Sequence, residues 1–331
     1  MRSISTILIA KNQEANIGRL IDSVLEELPD INPQEIVLVD SASTDRTREI
    51  ARERPIKIIH LHADQPLTPA AGRYIGYQHT SGDLILFLDG DMELFRGWMD
   101  RALAFLAEHP DVAGVTGQVI DQPKSAGIEP RLELEKQSYP DTFKKVLRSG
   151  GAAVYRRSVM EEVGTFNPYL SSDEEPELSV RIRSAGYKIY KSAYPIALHY
   201  TDPAEKLSTL VGRWRRNLFI GHGQCLRYHL NDGLLWLYMK DRAHGLVPLA
   251  GVAVGIAALI VSIITGQWLW FGIWVGLLVL MILADTVRKR SLYKSIYSLL
   301  RRILIMDGTI RGFFKKPLAP ETYPAKLDIV E

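Results

Sequence analysis

The sequence predicts an α/β protein: a mostly parallel sheet with helices on both faces, joined to a C-terminal membrane hairpin and an interfacial helix. Three observations carry this. Short β-rich apolar runs alternate with helical patterns through the first ninety residues, and two uncharged apolar runs lie close together near the C-terminus. Charge is also split: residues 1–204 carry 23 Lys and Arg against 30 Asp and Glu, whereas residues 205–331 carry 17 against 8. At 331 residues, 47% apolar and 24% charged, the chain is globular in composition and long enough for one or two domains. The single cysteine, Cys225, excludes a disulfide-stapled scaffold and a cysteine-based zinc site. An acidic front half does not suit nucleic acid, whereas the basic back half suits either nucleic acid or an anionic membrane surface.

In chain order, strands are expected at 4–10, 35–39, 56–60 and 84–88, with helices at 14–28, 44–53 and 68–80. Thr68-Pro69 marks a helix start, the threonine as cap and the proline at the first helical position. Strand and helix alternating at this spacing means parallel strands with helical crossovers. In such sheets ligands bind beyond the carboxyl ends of the strands. There the sequence puts Lys11-Asn12-Gln13-Glu14, then Asp40 to Asp45, then Asp89-Gly90-Asp91.

The string LFLDGDMEL is the most informative. An apolar strand delivers two carboxylates separated by one glycine, and like charges this close repel unless a cation sits among them. Oxygen ligands suit Mg²⁺ or Mn²⁺, which keep open positions for phosphate. No P-loop and no G-x-G-x-x-G fingerprint is present. A second acidic group, Asp173-Glu174-Glu175-Pro176-Glu177, precedes a short helix ending at Gly186. The helix dipole accounts for one or two of these carboxylates but not for four in five positions, and one of them suits a general base. His199, closing the run PIALHY, becomes a metal ligand only if its strand ends beside Asp91.

Residues 245–266 form an uncharged run long enough to cross a bilayer core, and the 17 residues of 268–284 are barely so. Trp268, Trp270 and Trp274 suit an aromatic belt, and cationic flanks on both sides predict that both ends are cytoplasmic. The segment 291–314 is apolar but carries five charges, so it is expected to lie along the interface. The expected layout is a catalytic domain at 1–204, a basic interfacial helical segment at 205–244, the hairpin at 245–285 and a cytoplasmic basic amphipathic tail at 286–331. No secretory signal is read at the start, so the catalytic domain is expected in the cytosol of a multi-pass plasma- or inner-membrane protein.

Together these motifs resemble glycosyltransferase family 2, the inverting nucleotide-sugar enzymes of GT-A fold, across roughly residues 3–230. The family's opening stretch resembles Ile9-Ala10-Lys11-Asn12-Gln13-Glu14, and its Val-Asp-Asp-Gly-Ser-Thr-Asp resembles Val39-Asp40-Ser41-Ala42-Ser43-Thr44-Asp45. Its Ala-Arg-Asn-x-Gly is similar to the stretch from Ala71 through Arg73 to Gly76, and its Asp-x-Asp to Asp89-Gly90-Asp91. Its Glu-Asp-x-Asp-Leu-x-x-Arg signature maps onto Glu174 to Arg181. The chain departs from the pattern at Lys11, at Ser41-Ala42 and at Glu175, where the family has aspartate.

The resemblance implies that Ala10, Glu14 and Asp40 hold the nucleoside, that Arg73 faces the diphosphate, and that Asp89 and Gly90 line the nucleotide-sugar site. It implies a Mn²⁺ or Mg²⁺ ion on Asp91, with Asp89 on the ribose or in the metal's water shell, and Glu175 or its neighbour Glu174 as base; His199 is the further metal-ligand candidate from the residues themselves. The implied reaction is sugar transfer from a nucleotide-sugar donor, UDP being the family's commonest nucleotide, to a hydroxyl of a lipid-linked or polysaccharide acceptor at the membrane. The alternative is a polyprenyl-phosphate glycosyltransferase, whose anionic acceptor needs no general base. A sugar nucleotidyltransferase would carry a Gly-rich basic N-terminal loop, which AKNQEANIG is not. A catalytically dead binding module would not be expected to keep Asp89, Asp91 and Glu175.

Overall fold

The computed structural model describes residues 3–330 except 29, 31, 33, 34, 126, 128 and 202–205. The chain forms two compact units, Met1–Asp202 with Leu318–Glu331, and Pro203–Pro317. The expected boundary at 204/205 falls outside the described residues.

The first unit begins with β1 (Ile4–Ala10), α1 (Ile17–Glu27), β2 (Ile36–Asp40), α2 (Thr47–Arg52), β3 (Lys57–Leu61), α3 (Pro69–Gln78) and β4 (Leu84–Asp89). These strands run parallel in the order β3-β2-β1-β4. Their side chains are buried almost without exception, because helices cover both faces. Thr68 caps α3 by accepting from the Ala71 N–H at 2.9 Å, with Pro69 in the first turn.

Beyond β4 the sheet changes character. The chain continues through β5 (Met92–Leu94), α4 (Trp98–Glu108), β6 (Val112–Pro123), α5 (Glu129–Glu135), β7 (Phe143–Val146), β8 (Ala153–Arg156), α6 (Arg157–Val163), α7 (Glu174–Ser184) and β9 (Lys188–Thr201). Here β8 is antiparallel to β4 and β6, while β9 is parallel to β6 and antiparallel to β5 and β7. The sheet is therefore mixed: the first four strands and the long β6–β9 pairing are parallel, and the remaining pairings are antiparallel. The antiparallel half is built by segments whose partners lie far away in sequence, which local periodicity does not report.

The second unit consists of α8 (Leu207–Arg215), α9 (Gly221–Tyr228), α10 (Leu235–Arg242), α11 (Val247–Thr265), α12 (Leu269–Lys289) and α13 (Leu292–Phe313). With mean hydropathies of 2.6 and 2.0, α11 and α12 are long and apolar enough to cross a membrane, at ~28 and ~31 Å. Their side chains are almost wholly exposed, unlike those of a soluble core helix, and the pair fits a transmembrane hairpin. Trp274 Nε1 ties it together by donating to the Gly251 carbonyl at 3.0 Å. The helix α13 packs on α9 where Gly308 and Gly312 leave no room for a Cβ against the backbone of Phe219 and Ile220.

The tail 286–331 is not one element. Its beginning completes α12, its middle is α13, and its end returns to the first unit as β10 (Leu327–Val330), antiparallel to β3. This covers the outer edge of β3, whose unpaired backbone groups would otherwise be an open template. His62 Nε2 meets Asp328 Oδ2 at 3.0 Å, and Tyr323 donates to the Pro66 carbonyl at 2.7 Å.

Candidate active site

Register alone brings several expected residues to one edge. In the parallel ladders Ala10 pairs with Asp40, Ile9 with Asp89, and Asp40 with His60. Ala10 is buried at the end of β1, and the Gly90 N–H donates to the Ile9 carbonyl at 2.7 Å. A Cβ at Gly90 would stand 2.9 Å from that of Ala10, so only glycine lets the turn close here. Glu14, expected at the nucleoside, lies on the surface with its carboxylate accepting from the Arg46 N–H at 3.1 Å. With Asn12, which accepts from the Thr44 N–H at 2.8 Å, it zips the loop after β1 to the loop after β2.

Asp40 is fully buried. Its Oδ2 accepts from His60 Nδ1 at 2.8 Å and from the Ser43 N–H at 3.2 Å, with Arg48 Nε at 3.8 Å. Its Oδ1 is buried with no hydrogen-bond partner among the described residues.

Arg73 is the hub. Only 2% exposed on α3, it donates from Nη1 to Glu174 at 2.7 Å and from Nη2 to Asp89 at 2.7 Å, and Nη2 forms an ion pair with Glu175 at 3.1 Å. The Phe166 ring lies 5.5 Å from its guanidinium carbon. The guanidinium, which the resemblance turns towards a diphosphate, is held among three carboxylates. The reason is that α7 brings its acidic first turn here, opened by Asp173 in the left-handed region at φ 62°. Glu174 is buried and Glu175 partly exposed, its side chain at 18%. Glu177 belongs elsewhere: fully buried, it pairs with Arg181 at 2.7 Å, and Arg181 also holds the carbonyls at 163–165.

These charges act on one another. Burial pushes the Asp89 carboxyl up to about 6 against the pull of Arg73, with Glu175 and Asp91 adding to the rise. Burial and the neighbouring Glu175 push Glu174 well above the usual carboxylate range, with Arg73 opposing.

His199 does end beside Asp91. The antiparallel pairing of Met92 with His199 brings its Nε2 to 3.4 Å from Asp91 Oδ2, and its Nδ1 bonds Asp121 at 2.8 Å. The hydrogen bond to Asp91 and that to Asp121 raise the imidazole to about 9 despite burial. Asp89, expected on the ribose or in the metal's water shell, lies in the same cluster with its Oδ1 held by Arg73 Nη2 at 2.7 Å. Among the described residues, no three His, Cys, Asp or Glu side chains form a ready-made metal cage. In all, five carboxylates (Asp89, Asp91, Asp121, Glu174 and Glu175) meet one guanidinium and one imidazole.

Three neighbours escape a reading of motifs. Asp121 sits in β6 without local signal and is found only through its ladder partner His199. Gly151 lies against Asp89, whose Oδ2 would stand 2.5 Å from an added Cβ. His60 lies next to the end of β3, and the rule that strand ends carry the site would have singled it out.

Comparison with known proteins bears on the family and the fold. The family described as Glycosyl transferase family 2 matches residues 5–164. The chain is 26% identical over 227 residues to the glycosyltransferase AglE of Haloferax volcanii, covering 67% of this chain and 72% of that protein. It is 23% identical over 283 residues to the pre-mycofactocin glycosyltransferase of Mycobacterium tuberculosis, covering 80% of this chain but only 57% of the relative. Among solved structures, the mannosyltransferase PcManGT of Pyrobaculum calidifontis, in complex with GDP-Man and Mn²⁺, superposes with a TM-score of 0.60 at 19% identity, over 96% of this chain and 88% of that one. GalNAc-T7 with UDP, GalNAc and Mn²⁺ gives 0.53 at 15% identity, over 74% and 57%. The motifs at the strand ends, the family match and the shared GT-A fold lead to one conclusion: the chain is a glycosyltransferase, and its residues 5–164 match glycosyltransferase family 2.

Proposed function

We propose that the protein transfers a sugar, with inversion, from a nucleotide-sugar donor to a hydroxyl of a lipid-linked or polysaccharide acceptor at the cytoplasmic face of a membrane. The observation that carries this is the Arg73 hub: one buried guanidinium gathers Asp89, Glu174 and Glu175 beside the Asp91–His199 pair. Inversion requires the acceptor oxygen to attack the anomeric carbon opposite the departing diphosphate, losing its proton as it does so. Glu175 is the base, being the carboxylate of the pair that retains exposure, while Glu174 and Arg73 hold it in position. A phosphate acceptor would need no such group and would meet repulsion from these carboxylates. At the donor end, the free Oδ1 of Asp40 suits a base N–H, since a buried acceptor without a partner is costly.

The donor set fits a divalent cation. Asp91 Oδ2 and His199 Nε2, 3.4 Å apart, place an oxygen and a nitrogen donor side by side. The surplus of carboxylates calls for positive charge. Asp91 and His199 would hold the ion, and the imidazole favours Mn²⁺ over Mg²⁺. When bound, the ion would offset negative charge developing on the diphosphate. The cationic flanks of the α11–α12 hairpin, Arg213, Arg215, Arg216, Lys240 and Arg242 before it and Arg288 to Arg290 after it, support the cytoplasmic orientation. The test is a panel of UDP-, GDP- and dTDP-sugars offered to the detergent-solubilised protein with Mn²⁺, read as binding and slow hydrolysis. Binding of at least one donor is expected, and binding of none would overturn the reading.

A further inference from the structure

We propose that His60 is a positioning residue for nucleobase recognition, fixing Asp40 so that one carboxylate oxygen alone is left to read the base. The proposal rests on the nucleotide-sugar reading of the site. It starts from an asymmetry in Asp40, which is fully buried at the end of β2. Everything that approaches it does so at Oδ2: His60 Nδ1 at 2.8 Å, the Ser43 N–H at 3.2 Å and Arg48 Nε at 3.8 Å. Nothing among the described residues meets Oδ1.

An ionised carboxylate only accepts, so His60 donates through Nδ1–H, which fixes that tautomer whenever the ring is neutral. A carboxylate held at one oxygen by two donors cannot rotate to share its load. Oδ1 remains a desolvated acceptor waiting for an N–H. Uracil and guanine carry a ring N–H that satisfies it. Cytosine and adenine carry a bare ring nitrogen at the equivalent position and meet the oxygen with a lone pair.

The backbone that carries the imidazole is held on both sides. His60 lies beside Asp40 in the parallel β2–β3 ladder, and Asp328 of β10 stands opposite it on the other side. Its side chain is 17% exposed, so it is walled in but not sealed. Without the imidazole, Oδ2 loses its strongest partner and the carboxylate can turn, so the free acceptor is no longer presented in one place.

The experiment is calorimetric binding of UDP, GDP, CDP, ADP and inorganic pyrophosphate, each with Mn²⁺, to the full-length protein, to His60→Leu and to His60→Asn. Asparagine returns an N–H near the position of Nδ1. We expect His60→Leu to weaken the preferred ring-N–H nucleotide about tenfold, the scale of one buried charge-assisted hydrogen bond. Its preference over the nucleotide lacking that hydrogen should shrink by the same factor, with pyrophosphate affinity unchanged and His60→Asn within about threefold of the parent. Unchanged nucleotide affinity in His60→Leu would overturn the role of His60 and leave the nucleotide-sugar reading standing. Parallel losses of nucleotide and pyrophosphate would also overturn it, since general damage explains them. A parent protein that binds neither UDP nor GDP removes the nucleotide reading and this proposal together.

Discussion

Replacing Arg73 by methionine should unfold the catalytic unit at much lower temperature than it should affect any distant surface. Methionine fills much of the same volume but leaves Asp89, Glu174 and Glu175 facing one another without their shared cation. Removing one partner of a buried ion pair costs about 3–5 kcal/mol, which at 2–4 °C per kcal/mol for a unit of this size corresponds to a Tm lower by about 6–20 °C. The loss is pH-dependent. Asp89 already titrates near 6 in the folded protein against an ordinary value of 3.8, so above about pH 6 its charge weighs against folding. As pH falls from 6 towards 4 the folded state takes up the proton first, and the penalty shrinks. In Arg73→Met the carboxyls lose their opposing charge, so this relief should be larger than in the parent. The assay is thermal unfolding of the solubilised full-length protein followed by circular dichroism at pH 5 and pH 8, with Arg73→Lys as the charge-retaining control. A Tm within about 2 °C of the parent at pH 8, or a deficit that grows on acidification, would refute the hub.

Glu175→Gln should slow turnover about 10²–10⁴-fold while leaving donor affinity nearly unchanged, measured by initial rates and calorimetry; a slow Glu174→Gln beside a normal Glu175→Gln would exchange the two roles. Asp91→Asn should abolish turnover and weaken Mn²⁺-dependent nucleotide binding with an unchanged circular dichroism spectrum, and normal activity would remove Asp91 from the metal site. Ala42 sits in the left-handed region at φ 54°, so Ala42→Gly should stabilise the protein by about 0.5–1 kcal/mol, the relief of strain exceeding the entropy cost. A lower Tm would show that the strain is absent. Reporter fusions at residue 240 and at the C-terminus should agree with each other and disagree with one at 266, and a C-terminal reporter on the outside would overturn the hairpin orientation.

By itself the sequence determined the first four strands, their crossover helices, the two apolar helices and the carboxylates at the strand ends. These features are local. Burial on both faces demands continuous apolar runs such as LILFL, the helix start at Thr68-Pro69 is chemical, and Asp89 and Asp91 follow their strand directly. What the tertiary structure decided is which of these groups share a partner. Arg73 meets Glu174 across 101 positions, Asp91 meets His199 only because β5 and β9 run antiparallel, and the chain end returns from α13 to lie along β3. Pairings of that length leave no trace in periodicity or spacing, because the free energy that selects them comes from neutralising buried charge and closing sheet edges after the chain has folded back on itself. The same physics put Arg73 at the centre of three carboxylates and His60 beside Asp40, neither of which the motifs alone report.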